Sequence, residues 1–164
     1  LTLLARADAG GLPLEMKPVE LDNLLFEVYR QFSVIQKPVD ATVTAVDQVS
    51  VMGDADRLKQ LFINIIDNAI KYTQKGDIKV VFRRIGKTAE VSVWDTGPGI
   101  APEELKDLFD KFLRGAAGKA SQGGSGLGLY LAKKIIENHK GHLSAKSDGI
   151  GKGSVFTVTL PLKS

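Results

Sequence analysis

The stretch NIIDNAIKYT, Asn64–Thr73, decides the fold of this chain. It continues a helical pattern that opens after Gly53, in which Leu58, Leu61, Phe62, Ile65, Ile66, Ala69 and Ile70 make one apolar face. Asp54 stands where an N-cap belongs. Beside that face, rather than opposite it, Asn64, Asn68 and Lys71 fall at i, i+4 and i+7 and so share a stripe. Two amide oxygens one turn apart can ligand a hard cation or hold its waters, and magnesium prefers oxygen ligands that leave it free to bridge phosphates. Lys71 adds a positive charge suited to a phosphate oxygen. Taken alone, N-x-x-x-N is better read as a solvated helix face; the motifs that accompany it reverse that.

Working outward, Ile78–Arg84 and Ala89–Trp94 read as two strands joined by a turn at Gly86. Upstream, Leu21, Leu24, Leu25, Val28, Phe32 and Ile35 recur at helical spacing from Leu21 to about Gln36, with Pro38 beyond the end. Ala41–Val46 and Val49–Met52 read as short strands rich in Val and Thr. Pro102–Phe112 is helical in part, and the small residues of Leu113–Gly124 read as a loop. A third helix spans about Ser125 to Lys140, and a hairpin, His142–Ser147 and Ser154–Leu160, turns around Asp148-Gly149. Leu1–Ala9 is helix-compatible and stops at Gly10-Gly11 with Pro13 close behind, as the tail of a helix lying upstream would.

Two glycine loops give the polar stripe its meaning. In DTGPGI, Asp95–Ile100, a carboxylate ends a strand and can accept a hydrogen bond from an exocyclic amine of the kind adenine carries. Gly97 and Gly99 let the backbone approach a flat ring; an Asx-capped turn is the plainer alternative. In GGSGLGL, Gly123–Leu129, the run Gly124, Gly126 and Gly128 opens a helix whose exposed N–H groups and dipole attract phosphate, with Ser125 as an added donor. A linker is the alternative there, but Leu127, Leu129, Leu131, Ile135 and Ile136 speak against it. No Lys-Ser or Lys-Thr follows, so this is not a Walker A loop. It does not follow a strand directly, so it is not a dinucleotide fingerprint. Any one segment is weak; the ordered set describes a pocket for a purine nucleotide with a metal-bridged phosphate tail.

The composition agrees with that reading. At 164 residues, with 43% hydrophobic and 25% charged, the chain is long enough to bury a core. A net charge of +3 from scattered basic residues argues against a nucleic-acid surface. No window approaches the roughly 18 uninterrupted apolar residues of a membrane span. Absent cysteine excludes disulfides and thiolate metal sites, and two histidines, His139 and His142, are too few for a histidine-based zinc site.

NIIDNAIKYT, DTGPGI, LFDKFLR (Leu108–Arg114) and GGSGLGL resemble, in order, the N, G1, F and G2 boxes of the catalytic ATP-binding domain of bacterial two-component sensor histidine kinases. The resemblance covers about residues 15 to 162. It implies a Bergerat-type α/β (α+β) two-layer sandwich, a mixed sheet covered on one face by three main helices, which agrees with the strands and helices read above. It also implies that Asn64, Asn68 and Lys71 are the catalytic polar residues, with Asn64 and Asn68 holding Mg²⁺. Lys71 and Tyr72 would flank the phosphates of ATP, and Asp95, Gly97, Gly99 and Ile100 would form the adenine wall. Phe109 and Phe112 would anchor an ATP lid around residues 101–124, with core packing an equal alternative. Arg114 would reach the phosphates, and Gly124, Ser125, Gly126, Leu127 and Gly128 would close over them. Residues 1–10 would be the tail of the dimerisation and phosphoacceptor helix, and 11–164 the catalytic domain.

By the same resemblance the partners are the chain's own dimerisation domain, in cis or in trans, and through it a response regulator. The parent would be a homodimer, with this domain in the cytoplasm, touching neither membrane nor nucleic acid, and the parent open to an inner-membrane anchor. Hydrolases of the same fold carry a water-activating Glu four residues before the metal-binding Asn. Asn64 holds that position here and cannot act as a base, so little hydrolysis is expected. No acceptor-histidine box occurs in the sequence, and His139 and His142 are expected to be structural or solvated. Two alternatives share the fold: a serine protein kinase of the anti-sigma-factor type, and a non-enzymatic nucleotide-sensing module.

Overall fold

Alternation of apolar and polar residues along the strands sets one buried and one open sheet face. A computed structural model of the chain describes residues 13–32, 39–45, 48–73, 76–110 and 128–163. In chain order its elements are β1 (Lys17–Glu20), α1 (Leu21–Phe32), β2 (Val39–Ala45), β3 (Ser50–Gly53) and α2 (Ala55–Tyr72). Then come β4 (Gly76–Ile85), β5 (Thr88–Asp95), α3 (Pro102–Leu105), α4 (Gly128–Asn138), β6 (His142–Lys146) and β7 (Ser154–Pro161).

The main sheet has five strands in the order β2-β4-β5-β7-β6. β2 runs parallel to β4 and every other pairing is antiparallel, so the sheet is mixed. On β4, Ile78, Val80 and Phe82 are buried, while Asp77, Lys79 and Arg83 are exposed, as a strand's two-residue period requires. Register carries the same face onward: Val80 lies opposite Val93, Val93 opposite Phe156, and Val91 opposite Val158. Helices α1, α2 and α4 cover that face with Leu21, Leu25, Val28, Leu58, Leu61, Phe62, Ile65, Ile135 and Ile136, all essentially inaccessible. Burying each such side chain contributes roughly 1.5–3 kcal/mol. The expected two-layer sandwich with three main helices is therefore observed. Among the described residues, no helix lies on the other face, where Lys79 pairs with Trp94 and Arg83 with Glu90. Trp94 is 51% exposed there.

The two short strands read between α1 and α2 belong to different sheets. β2 joins the main sheet, whereas β3 pairs antiparallel with β1, a strand that the sequence reading missed. The expected extension of α1 to Gln36, the start of α4 at Ser125, and the helix tail in residues 1–10 lie outside the described residues.

α2 begins as its sequence suggests. Asp54 accepts from the Arg57 N–H at 3.2 Å through one oxygen and from the Glu15 N–H at 3.0 Å through the other. Burial opposes ionisation of this carboxyl, but the backbone donors from Glu15 and Arg57 outweigh it and hold its pKa below the usual value.

His139 is 2% exposed. Its Nε2 accepts from the Asp54 N–H at 3.0 Å, and its Nδ1 lies 2.8 Å from the Ile135 carbonyl oxygen. Because Nε2 accepts, Nδ1 carries the proton and donates it to Ile135, so a neutral ring ties the end of α4 to the start of α2. His139 is structural, one of the two roles expected; His142 is exposed on the edge strand β6.

Candidate functional site

α2, which carries the polar stripe, packs against both α4 and β5. Asn64 and Asn68 are half-buried, one turn apart. The Asn64 side-chain nitrogen donates to the Gly128 carbonyl at 3.2 Å, pinning the start of α4 to the middle of α2. That bond uses the nitrogen end of the amide and leaves the oxygen end to accept. The side chains of Lys71 and Tyr72 lie outside the described residues, as do Phe112, Arg114, Gly124, Ser125, Gly126 and Leu127, and with them most of the expected lid. Gly128 is exposed at the first position of α4.

At the other side of the site, Asp95 closes β5 with both carboxylate oxygens engaged. Oδ1 accepts from the Gly97 N–H at 2.9 Å and Oδ2 from the Ser154 hydroxyl at 2.6 Å. Ser154 is the register partner of Asp95 across β5 and β7. The Asx turn weighed as an alternative is thus present, and a second tie orients the carboxylate from across the sheet. Each oxygen keeps a further lone pair for an incoming donor.

The loop that follows is gripped from both flanks. On one, the Thr96 hydroxyl accepts from the Asp77 N–H at 2.9 Å, and the Thr96 N–H donates to the Asp77 carbonyl at 3.1 Å. On the other, the Gly151 N–H donates to the Pro98 carbonyl at 2.6 Å, and the Ile100 N–H to the Ser147 hydroxyl at 3.0 Å. Gly99 and Gly153 leave no room for a side chain. Gly99 has φ 76° and a Cβ there would lie 2.1 Å from the Gly149 carbonyl oxygen. Gly153 has φ 71° and a Cβ there would lie 2.3 Å from the Asp95 carbonyl oxygen. Ser147, Gly153 and Ser154 escaped the sequence reading, because they meet Ile100 and Asp95 only once the hairpin lies beside the loop, in pairings such as Ser147 with Ile100, 47 residues apart, and Ser154 with Asp95, 59 apart.

Phe109 follows the short α3 and packs edge-on against Phe156, with ring centroids 6.2 Å apart at 83°. The Lys133 ammonium stands 5.9 Å from its ring centre. The ring therefore packs on the core, and the root of the expected lid is fixed to β7 and α4. A groove of about 550 Å³ also lies on the open sheet face, lined by Lys79, Val81, Arg83 and Trp94 among others. It borders Asp95 and Thr96 but lies across the sheet from α2 and its asparagines.

The chain is similar to known proteins over nearly all of its length. The signal transduction histidine-protein kinase BaeS of Escherichia coli (strain K12) is 34% identical over 165 residues, covering 98% of this chain. The chain spans 35% of the length of that relative. Among solved structures, full-length ShkA in complex with AMPPNP superposes with a TM-score of 0.85 at 27% identity, over 98% of this chain and 34% of that one. Histidine kinase ThkA in complex with response regulator protein TrrA gives a TM-score of 0.76 at 29% identity, over 92% of this chain and 42% of that one. The model of the histidine kinase-, DNA gyrase B-, and HSP90-like ATPases matches residues 53–164, from the last residue of β3 through α2, both described walls of the site and the closing hairpin. The chain belongs to that family, with the fold of histidine kinase catalytic domains.

Proposed function

We propose that this chain binds Mg²⁺-ATP and passes the γ-phosphoryl group to a histidine on the dimerisation domain of a sensor kinase. The observation that carries the reading is Asp95, a carboxylate oriented by Gly97 and Ser154 at the end of β5, the strand that packs against α2. Its free lone pairs suit the exocyclic amine of adenine, and guanine offers a carbonyl at that ring position. Gly97, Gly99 and Ile100 form the wall along the ring. Asn64 and Asn68 supply neutral oxygen donors of the kind magnesium accepts, and the commitment of the Asn64 nitrogen to Gly128 fits that use. When bound, the metal would neutralise charge on the phosphates. Lys71, Tyr72, Arg114, Gly124, Ser125, Gly126, Leu127 and Gly128 would surround the phosphate tail, with Phe109 and Phe112 at the root of the lid.

Phosphoryl transfer of this kind rests on positioning and charge neutralisation rather than on a protein nucleophile. The γ-phosphoryl bond to the β-phosphate oxygen breaks, a bond to an imidazole nitrogen of the acceptor forms, and ADP leaves. Asn64 provides no base for water, so transfer is favoured over hydrolysis. The acceptor domain, the response regulator it would serve, a homodimeric parent and a cytoplasmic position belong to the same proposal. The resemblance to ShkA, solved in complex with AMPPNP, and to histidine kinase ThkA, solved in complex with response regulator protein TrrA, supports it.

The deciding experiment is calorimetric titration with a non-hydrolysable ATP analogue and Mg²⁺, with the matching GTP analogue alongside and Asp95→Ala as control. Binding of the adenine analogue alone, lost in the variant, is expected. Equal binding of both nucleotides, or binding that survives Asp95→Ala, refutes the assignment.

A further inference from the structure

We infer that Ser147 is a positioning residue of the nucleotide site, which templates the Asp95–Ile100 loop before any ligand arrives. The inference rests on the nucleotide reading given above. Ser147 follows β6 and is half-buried. Its hydroxyl accepts from the Ile100 N–H at 3.0 Å and from the Gly149 N–H at 3.2 Å. It donates to the Gly153 carbonyl at 2.7 Å, the nearer of two carbonyls, with Gly149 oxygen at 3.3 Å. A hydroxyl has one proton and two lone pairs, so this one is fully used.

Two of those partners lie within the turn between β6 and β7, and they alone would make Ser147 a turn-forming residue. The Ile100 bond is different, because it leaves the turn and fixes the last residue of the glycine loop. It works beside the Gly151 N–H on Pro98 and the close passage of Gly99 over the Gly149 carbonyl. The same turn ends at Gly153 and Ser154, which abut the backbone and carboxylate of Asp95. One hydroxyl thus joins the two ends of the adenine wall through a single rigid turn. A wall shaped in advance spares the ordering cost that binding would otherwise carry. Ser147 acts through the loop and does not need to touch the nucleotide.

The test compares Ser147→Ala, Ser147→Thr and Leu143→Val. Each is measured for affinity to the ATP analogue with Mg²⁺, for unfolding midpoint, and for amide exchange at Ile100 without nucleotide. Leu143 is buried on the sheet's inner face and serves as a stability control. Ser147→Ala should weaken binding about tenfold, equivalent to 1.4 kcal/mol, and accelerate exchange at Ile100. Ser147→Thr keeps the hydroxyl and should restore both, while Leu143→Val should lower the midpoint and leave affinity near wild type. Unchanged affinity in Ser147→Ala, or an equal loss in Leu143→Val at matched stability, overturns the inference. A wild-type chain that binds no nucleotide refutes the function proposed above. The exchange comparison then still decides the tie, since equal Ile100 exchange in wild type and Ser147→Ala shows the hydroxyl does not hold the loop.

Discussion

Replacing His139 by alanine should be among the most damaging single changes outside the apolar core. The ring is 2% exposed and bonded at both nitrogens. Its removal leaves the Asp54 N–H, at the first turn of α2, without an acceptor, which costs about 1–3 kcal/mol. The Ile135 carbonyl is less affected, because the His139 backbone N–H also donates to it at 3.2 Å. The space vacated beside Leu58 and Gly53 adds about 1–2 kcal/mol by analogy with large-to-small core changes. The sum, about 2–5 kcal/mol, compares with a total of about 5–15 kcal/mol for a typical domain. The variant should therefore fold at room temperature but melt about 5–15 °C lower. Thermal and urea unfolding at neutral pH measure this directly. His142→Ala is the internal control, since that ring is exposed and its loss should stay within about 0.5 kcal/mol. A His139→Ala cost under about 0.5 kcal/mol, or an equal cost at both histidines, refutes the clamp.

Three further perturbations probe other parts of the argument. The Asp54 carboxyl titrates below its usual value in the fold, so its contribution is present above the unfolded-state pKa and is lost as pH falls through the folded one. The wild type's advantage over Asp54→Asn in urea should therefore shrink below about pH 4, and a gap unchanged by acid counts against the backbone donors as its cause. The Thr73 hydroxyl is fully buried and has no hydrogen-bond partner among the described residues, so Thr73→Val should stabilise the fold by about 1 kcal/mol; a destabilisation of that size shows the hydroxyl is satisfied. Gly153→Ala combines a left-handed backbone with a Cβ driven into the Asp95 carbonyl, and should cost about 2–5 kcal/mol and abolish nucleotide binding. Wild-type affinity in that variant contradicts a fixed Asp95.

Where the chain encodes structure locally, the sequence is easy to read. The alternating β4–β5 hairpin, the apolar face of α2 and the Asp54 cap needed only neighbouring residues to be recognised. The stretch Lys17–Glu20 was missed because Lys-Pro-Val-Glu has one inward apolar residue and a proline. It is a strand only by virtue of Ser50–Gly53 lying alongside. The same distinction runs through the site. Asn64, Asn68 and Asp95 announce themselves by spacing and setting. Ser147 and Ser154 do not, since a serine in a glycine-rich turn looks like any turn serine until the sheet sets it against Asp95 or Ile100. Side-chain chemistry is written along the chain, whereas its orientation is written across it.

Trp94 is the only tryptophan in the chain, and it lies one peptide bond from Asp95. Strand alternation turns its indole to the open face while the carboxylate belongs to the helix-covered side, where a purine would stack. The molecule thus carries its own optical probe, coupled to the strand end proposed to recognise the base yet screened by the sheet from direct quenching by a base bound there. A change in its emission on adding nucleotide would report displacement of that strand end, and a constant emission a wall that stays still while the pocket fills.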